Sequence, residues 1–259
     1  MIIRQIFASS SVAAGEGSRG KSVPVSPSTT DRVLSVIVPV YNERGTVAAC
    51  LERVNRVPIV KEIIVVDDGS TDGTRELLRQ YEQRPGFVVR YHERNYGKGH
   101  AIRTGLREVS GSVVVIQDAD LEYDPDDFVA MLAPISAGRA RVVYGSRRLR
   151  KENRQHAGQI YFLGGMVLTY ATRLLYGLKI TDEATCYKMV ETDLLRSLEL
   201  TCERFEFCPE VTAKLAKRKI PILDVPIRYS PRHKNEGKKI GLRDAFEAAW
   251  TLLKFRVRR

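Results

Sequence analysis

The sequence predicts an α/β domain with a mostly parallel central sheet flanked by helices. Three observations predict it. Short, continuously apolar runs recur along the chain, amphipathic helical stretches alternate with them, and three of the runs stop at acidic or turn residues. Runs that are apolar throughout suit strands buried on both faces, as in parallel sheets covered by helices. In such sheets ligands bind beyond the carboxyl ends of the strands.

The elements follow in order. Residues 1–31 are rich in Ser, Gly and Pro, have little to bury, and read as a disordered leader rather than a secretory signal. Val33–Val40 is a β-branched strand, ended by Asn42-Glu43-Arg44-Gly45. Thr46–Val57 reads as a helix with Val47, Cys50, Leu51 and Val54 on one face. A second strand, Glu62–Val66, stops at Asp67-Asp68-Gly69-Ser70, and a helix over Thr74–Gln83 follows. A third, Phe87–Tyr91, leads through Asn95–Gly99 to a helix over His100–Val109. A fourth, Ser112–Gln117, stops at Asp118-Ala119-Asp120. Then come a helix over Pro125–Ala137 and a strand over Arg141–Tyr144. The second half is less regular: a helix over Ile160–Tyr176, a loop and short strand within Thr181–Val190, and a helix over Phe207–Arg218. An apolar run, Ile220–Tyr229, is interrupted by Pro226 and so predicts an edge strand or a bulge. Residues 32–241 make the main domain, and Leu242–Val257 opens a C-terminal helix within 242–259.

Composition narrows the function classes. Hydrophobic residues make up 43% of the 259 residues and charged residues 28%, enough apolar material for a core. No run approaches the roughly 18 apolar residues of a membrane-spanning helix. The four cysteines are scattered without a CxxC pair, which argues against a zinc ribbon or disulfide scaffold and fits a reducing cytosol. The net charge is +11, and residues 228–259 carry ten basic against three acidic residues. Such a block points to phosphate groups: nucleotide, anionic lipid or nucleic acid.

Buried strands do not tolerate unpaired carboxylates, so the acidic strand ends must emerge together at one edge of the sheet. In an extended Asp118-Ala119-Asp120 both carboxylates would point to one side, where two hard oxygen ligands suit Mg²⁺ or Mn²⁺. Asp67 and Asp68 could bond a base or ribose, or cap the following helix. Asn95–Gly99 lacks the spacing of a P-loop, and no GxGxxG follows the first strand, so a P-loop ATPase and a nicotinamide dehydrogenase are both disfavoured.

Taken together, VIVPVYNE, VVDDGSTDGT, NYGKGHAIRTGL and DADLEYDP, in this order, resemble the family 2 glycosyltransferases. Gly145-Ser146-Arg147, Asp182–Lys188, Val225-Pro226-Ile227, Pro231-Arg232 and Glu236-Gly237-Lys238 resemble its dolichyl- and polyprenyl-phosphate sugar synthase branch. The resemblance implies an inverting hexosyltransferase of the GT-A (Rossmann-like) fold, dependent on Mg²⁺ or Mn²⁺. It would move a sugar from a GDP- or UDP-linked donor to a polyprenyl (dolichyl or undecaprenyl) phosphate. It further implies that Pro39, Tyr41 and Glu43 line the nucleotide pocket and that Val66 and Asp68 contact base and ribose. Asp118, Ala119 and Asp120 would form the metal–diphosphate site, with Asp118 and Asp120 as metal ligands. Arg147 would sit by the donor sugar or acceptor phosphate, and Arg232 and Lys238 would reach the phosphates.

Two alternatives stand beside this reading. A saccharide or small-molecule hydroxyl acceptor would need a base, for which Asp182 and Glu210 are the candidates. A nucleic-acid-binding module explains the charge but not the acidic strand ends, which would repel a phosphate backbone; no nucleic acid partner is therefore expected. Leu242, Phe246, Ala249, Trp250, Leu253 and Val257 recur at helical spacing, flanked by Arg243, Lys254, Arg256, Arg258 and Arg259. A basic amphipathic helix with one tryptophan reads either as a membrane-surface element or as a docked core helix. The expected location is cytoplasmic, peripheral on the inner face of the cell membrane.

Overall fold

A computed structural model describes residues 34–155, 159–232 and 242–257. The expected leader, Lys238 and most of the basic segment before residue 242 lie outside the described residues.

Seven strands form one sheet in the order β3-β2-β1-β4-β6-β5-β7. β1 (Leu34–Val40), β2 (Val60–Asp67), β3 (Phe87–Tyr91) and β4 (Val113–Ile116) run parallel. Their β-branched residues are enclosed on both faces: Val36, Ile37, Ile64, Val65, Val114 and Val115 are fully buried. The helices α1 (Val47–Arg56), α2 (Thr74–Leu78, extended by a 3₁₀ turn over Arg79–Tyr81) and α3 (Lys98–Glu108) fill the connections. α1 buries Val47, Cys50, Leu51 and Val54, the face its sequence predicts. α3 packs close on β1 because Gly105 has no side chain; a Cβ there would lie 2.6 Å from Ile37 Cγ2. It begins at Lys98, two residues before the expected start.

After α4 (Phe128–Ser136), β5 (Val142–Ser146) joins the sheet through β6 (Lys188–Glu191), which is antiparallel to both β4 and β5. β7 (Leu223–Pro226) pairs parallel with β5 alone. Pro226 therefore sits on an edge strand, where its missing N–H costs no ladder bond. α5 (Gln159–Tyr176), α6 (Thr192–Ser197), α7 (Phe207–Lys217) and α8 (Leu242–Val257) complete the chain. α8 packs against α5 and α7 with Ala248, Thr251 and Leu252 buried, and Tyr176 Oη donates to Leu252 O at 2.6 Å. The strand order reverses between β1 and β4, which opens a crevice at their carboxyl ends.

Candidate functional site

The crevice is lined by the loops that leave β1, β2 and β4. The first two are tied together. Asn42 N–H donates to Ser70 Oγ at 2.9 Å, Thr71 N–H to Asn42 Oδ1 at 2.8 Å, and Glu43 N–H to Thr74 Oγ1 at 2.9 Å. Asn42 takes a positive φ of 51°, a conformation asparagine tolerates better than most residues. Pro39 and Tyr41 are half-buried beside this junction.

The paired aspartates at the end of β2 divide their work. Asp67 is fully buried and accepts from Arg75 Nε at 2.8 Å. Asp68 accepts from the backbone N–H of Tyr96 at 3.0 Å and of Gly97 at 2.7 Å, and meets His92 Nδ1 at 2.7 Å. At 2% exposure, Asp68 reaches the crevice through the 95–99 loop that it holds. Gly97 has φ +104°, and a Cβ there would lie 2.3 Å from Glu203 O, so only glycine fits. Val66 is fully buried within β2.

The chain leaves the sheet after Ile116, and Ala119-Asp120 form a turn instead of the expected extended segment. The two carboxylates still share one site. Burial, then the charges of Asp118 and Glu122, push the Asp120 carboxyl up to about 7. Ala119 between them is buried. Lys98 Nζ lies 2.5 Å from Asp118 Oδ1. Burial alone would depress this ammonium; the Asp118 carboxylate outweighs it and raises its pKa. Neither this pairing nor the role of Glu122 is apparent from local sequence.

Arg232 crosses the same opening. Its guanidinium donates to Glu43 Oε2 at 2.7 Å and to Asp120 O at 2.7 Å, and its N–H donates to Glu122 Oε1 at 2.9 Å. Glu122 also accepts from Tyr229 Oη at 2.6 Å, and its carbonyl accepts from Ser230 N–H at 2.8 Å. Glu122 thus pins residues 229–232 over the Asp118–Asp120 turn. The structure thereby brings Glu43, Asp118, Asp120 and Arg232 together.

At the end of β5, Arg147 makes a two-pronged contact with Asp182, 2.7 Å at each prong, and its N–H donates to the same carboxylate at 3.1 Å. The guanidinium lies 5.0 Å from the Tyr229 ring centroid, which links it to the loop carrying Arg232. Burial works against the Asp182 carboxylate, but Arg147 outweighs it and holds its pKa below the usual range. Glu210 stands on α7 and accepts from Thr201 N–H at 2.8 Å, Cys202 N–H at 2.7 Å and Lys214 Nζ at 2.6 Å. Its pKa is also lowered, burial being outweighed by Lys214 and Thr201. Both candidate bases are therefore engaged carboxylates with weak proton affinity.

Among the described residues no cluster of three or more His, Cys, Asp or Glu is gathered to hold a metal. Two aspartates offer hard carboxylate oxygens at one opening, which suits a Mg²⁺ or Mn²⁺ ion that other oxygen ligands complete, and a cation there would offset the burial and the acidic neighbours that raise the Asp120 carboxyl.

Known proteins resemble the chain at two levels. An undecaprenyl-phosphate 4-deoxy-4-formamido-L-arabinose transferase of Edwardsiella ictaluri is 28% identical over 81% of this chain and 63% of its own length. A UDP-N-acetylglucosamine–dolichyl-phosphate N-acetylglucosaminyltransferase of Methanococcus voltae is 28% identical over 76% and 86%. A dodecaprenyl-phosphate galacturonate synthase of Rhizobium johnstonii is 29% identical over 68% and 53%. The chain thus spans under two thirds of the length of two of these relatives. A Mycobacterium tuberculosis glucosyl-3-phosphoglycerate synthase, solved with Mn²⁺, UDP-glucose and phosphoglyceric acid, superposes with TM-score 0.67 at 21% identity. The alignment covers 87% of this chain and 80% of that one, and the shared fold is GT-A. The profile of glycosyl transferase family 2 matches residues 35–198, more than half of the sequence, and the chain belongs to that family.

Proposed function

We propose that the protein transfers a sugar, with inversion at the anomeric carbon, from a nucleoside-diphosphate sugar to a polyprenyl phosphate. The observation that carries this reading is the meeting of Glu43, Asp118, Asp120 and Arg232 at the β1/β4 crevice, with Arg147 held at the end of β5. The activities of the polyprenyl- and dolichyl-phosphate relatives support the acceptor class.

An acceptor phosphate oxygen forms the new bond to the anomeric carbon while the bond to the donor diphosphate breaks, and the diphosphate leaves with the electron pair. A Mg²⁺ or Mn²⁺ ion bound by Asp118 and Asp120 would neutralise charge growing on that diphosphate. Arg232 adds a fixed cation at the same opening. Arg147, oriented by Asp182, offers its remaining N–H groups to acceptor phosphate or donor sugar. Lys238 would reach the phosphates from the same segment as Arg232. Because the acceptor is already an anionic nucleophile, no strong base is required. That agrees with the engagement of Asp182 and Glu210, and it disfavours the hydroxyl-acceptor alternative. The donor is GDP- or UDP-linked, and the UDP-N-acetylglucosamine-dependent relative supports the UDP arm of the test.

The acceptor would be met at the bilayer surface. No helix among the described residues is long and apolar enough to cross a membrane. Trp250, Leu253 and Val257 form an exposed stripe on α8, and Val167, Tyr170 and Leu174 form another on α5. Arg173, Lys254 and Arg256 lie among them, a combination suited to anionic head groups. The side chains of Leu242 and Phe246, expected on the same face, lie outside the described residues.

The test is transfer of radiolabelled sugar from UDP- and GDP-sugars to undecaprenyl and dolichyl phosphate in detergent, with Mn²⁺, Mg²⁺ or EDTA. A labelled lipid-linked product is expected. Transfer to a saccharide or small hydroxyl acceptor, with none to either lipid phosphate, would overturn the acceptor assignment.

A further inference from the structure

We propose that Lys98 is the resident countercharge of Asp118 and that it makes divalent-cation binding at the Asp118–Asp120 turn depend on a diphosphate. The inference rests on the reading of these aspartates as the metal site. Three observations lead to it.

First, the Lys98 ammonium sits directly on the carboxylate expected to ligate the metal, 2.5 Å from Asp118 Oδ1, with 20% and 22% of the two side chains exposed. Second, the ammonium also meets the weakly polar Cys186 Sγ at 3.7 Å, so Asp118 is the carboxylate that holds it among the described residues. Third, its backbone is clamped from two sides. Tyr96 and Gly97 donate to Asp68, while Gly99 and His100 donate to Arg204 O and Glu203 O, each at 2.9 Å. A Cβ on Gly99 would lie 2.9 Å from Arg204 O, so the loop has no room to back away. Any response of Lys98 is therefore a swing of its side chain.

A divalent cation and this ammonium compete for the same carboxylate oxygen, and like charges a few ångströms apart in a partly dry site repel strongly. A cation arriving alone displaces Lys98 from Asp118 and offers it no new anion. A diphosphate arriving with the cation gives the ammonium another partner. Cation and diphosphate then bind cooperatively, and by linkage each strengthens the other by the same factor. The contact also offsets the charge of Asp118 when no donor is bound.

The test measures Mn²⁺ binding to the full-length protein by the loss of the free-ion electron paramagnetic resonance signal. It is complemented by calorimetric UDP and GDP binding with Mn²⁺ or EDTA. The proteins are wild type, Lys98→Met, Lys98→Gln and Asp118→Asn. With Mn²⁺ alone, both Lys98 variants should bind tighter than wild type, by a factor in the usual coupling range of roughly 5–150. The gain in nucleotide affinity on adding Mn²⁺ should shrink in both. Equal Mn²⁺ affinity in wild type and both variants overturns the role of Lys98 while leaving the metal site standing. In wild type alone, Mn²⁺ affinity unaffected by either nucleotide overturns it without any variant. If Asp118→Asn binds Mn²⁺ as wild type does, the metal-site reading falls, and the inference with it.

Discussion

Replacing Asp182 by Asn tests how the end of β5 is built. The substitution keeps the shape of the side chain and removes its charge. Asp182 is enclosed, with 1% of its side chain exposed against 21% for Arg147. It accepts both prongs of the guanidinium at 2.7 Å and the Arg147 N–H at 3.1 Å. Removing one partner of a buried pair costs about 3–5 kcal/mol. The partial exposure of Arg147 lets water compensate, so the lower end, about 3 kcal/mol, applies. For a domain of this size that corresponds to a fall in Tm of about 6–12 °C. The pH dependence gives a second readout. The folded pKa of Asp182 is depressed, so its stabilisation is full above the unfolded carboxylate pKa and is lost as pH falls through the folded value. Wild type should therefore lose stability on acidification below about pH 4 more steeply than Asp182→Asn. Thermal melts between pH 3 and 8 measure both, with KM for the proposed lipid acceptor as a functional readout. A Tm change under 2 °C together with parallel acid limbs would refute the reasoning.

Three other outcomes are expected. Asp120→Ala should lower transfer by roughly 10²–10³ without unfolding the protein; full activity of this variant in excess EDTA would sink the metal assignment. Lys238→Ala should cut turnover while leaving Tm nearly unchanged. Arg232→Ala should cut turnover and also lower Tm, because it leaves the largely buried Glu43 carboxylate without its guanidinium; an unchanged Tm would show that this contact adds nothing to the fold. Trp250, the only tryptophan, is 67% exposed, so its emission should shift to the blue on anionic vesicles and revert as salt screens the contact; emission indifferent to vesicles would remove the membrane face.

Much of the architecture could be read before any coordinates. The β-branched runs of β1, β2 and β4 have no polar face, so they must lie in the middle of a layered sheet. The faces of α1 and the bounds of α8 follow from helical spacing alone. The acidic residues at Asp67-Asp68 and Asp118–Asp120 could be placed at strand ends because a buried strand excludes them. These are local arguments, and period and solvation suffice for them.

The division of labour among those residues is set by contacts between distant parts of the chain. Tyr229 meets Glu122 across 107 residues, and Arg232 meets Glu43 across 189. Only the folded crevice shows that Asp68 holds the 95–99 loop, that Lys98 neutralises Asp118, and that Glu122 fastens the Arg232 segment. The antiparallel β6 was equally hidden, since a four-residue strand with only Met189 and Val190 apolar carries no signal of its direction. Residue type and spacing state which groups are available to a site. Which of them stay exposed to a ligand, and which are consumed by one another, depends on distances of about 3 Å between residues with no relation in sequence.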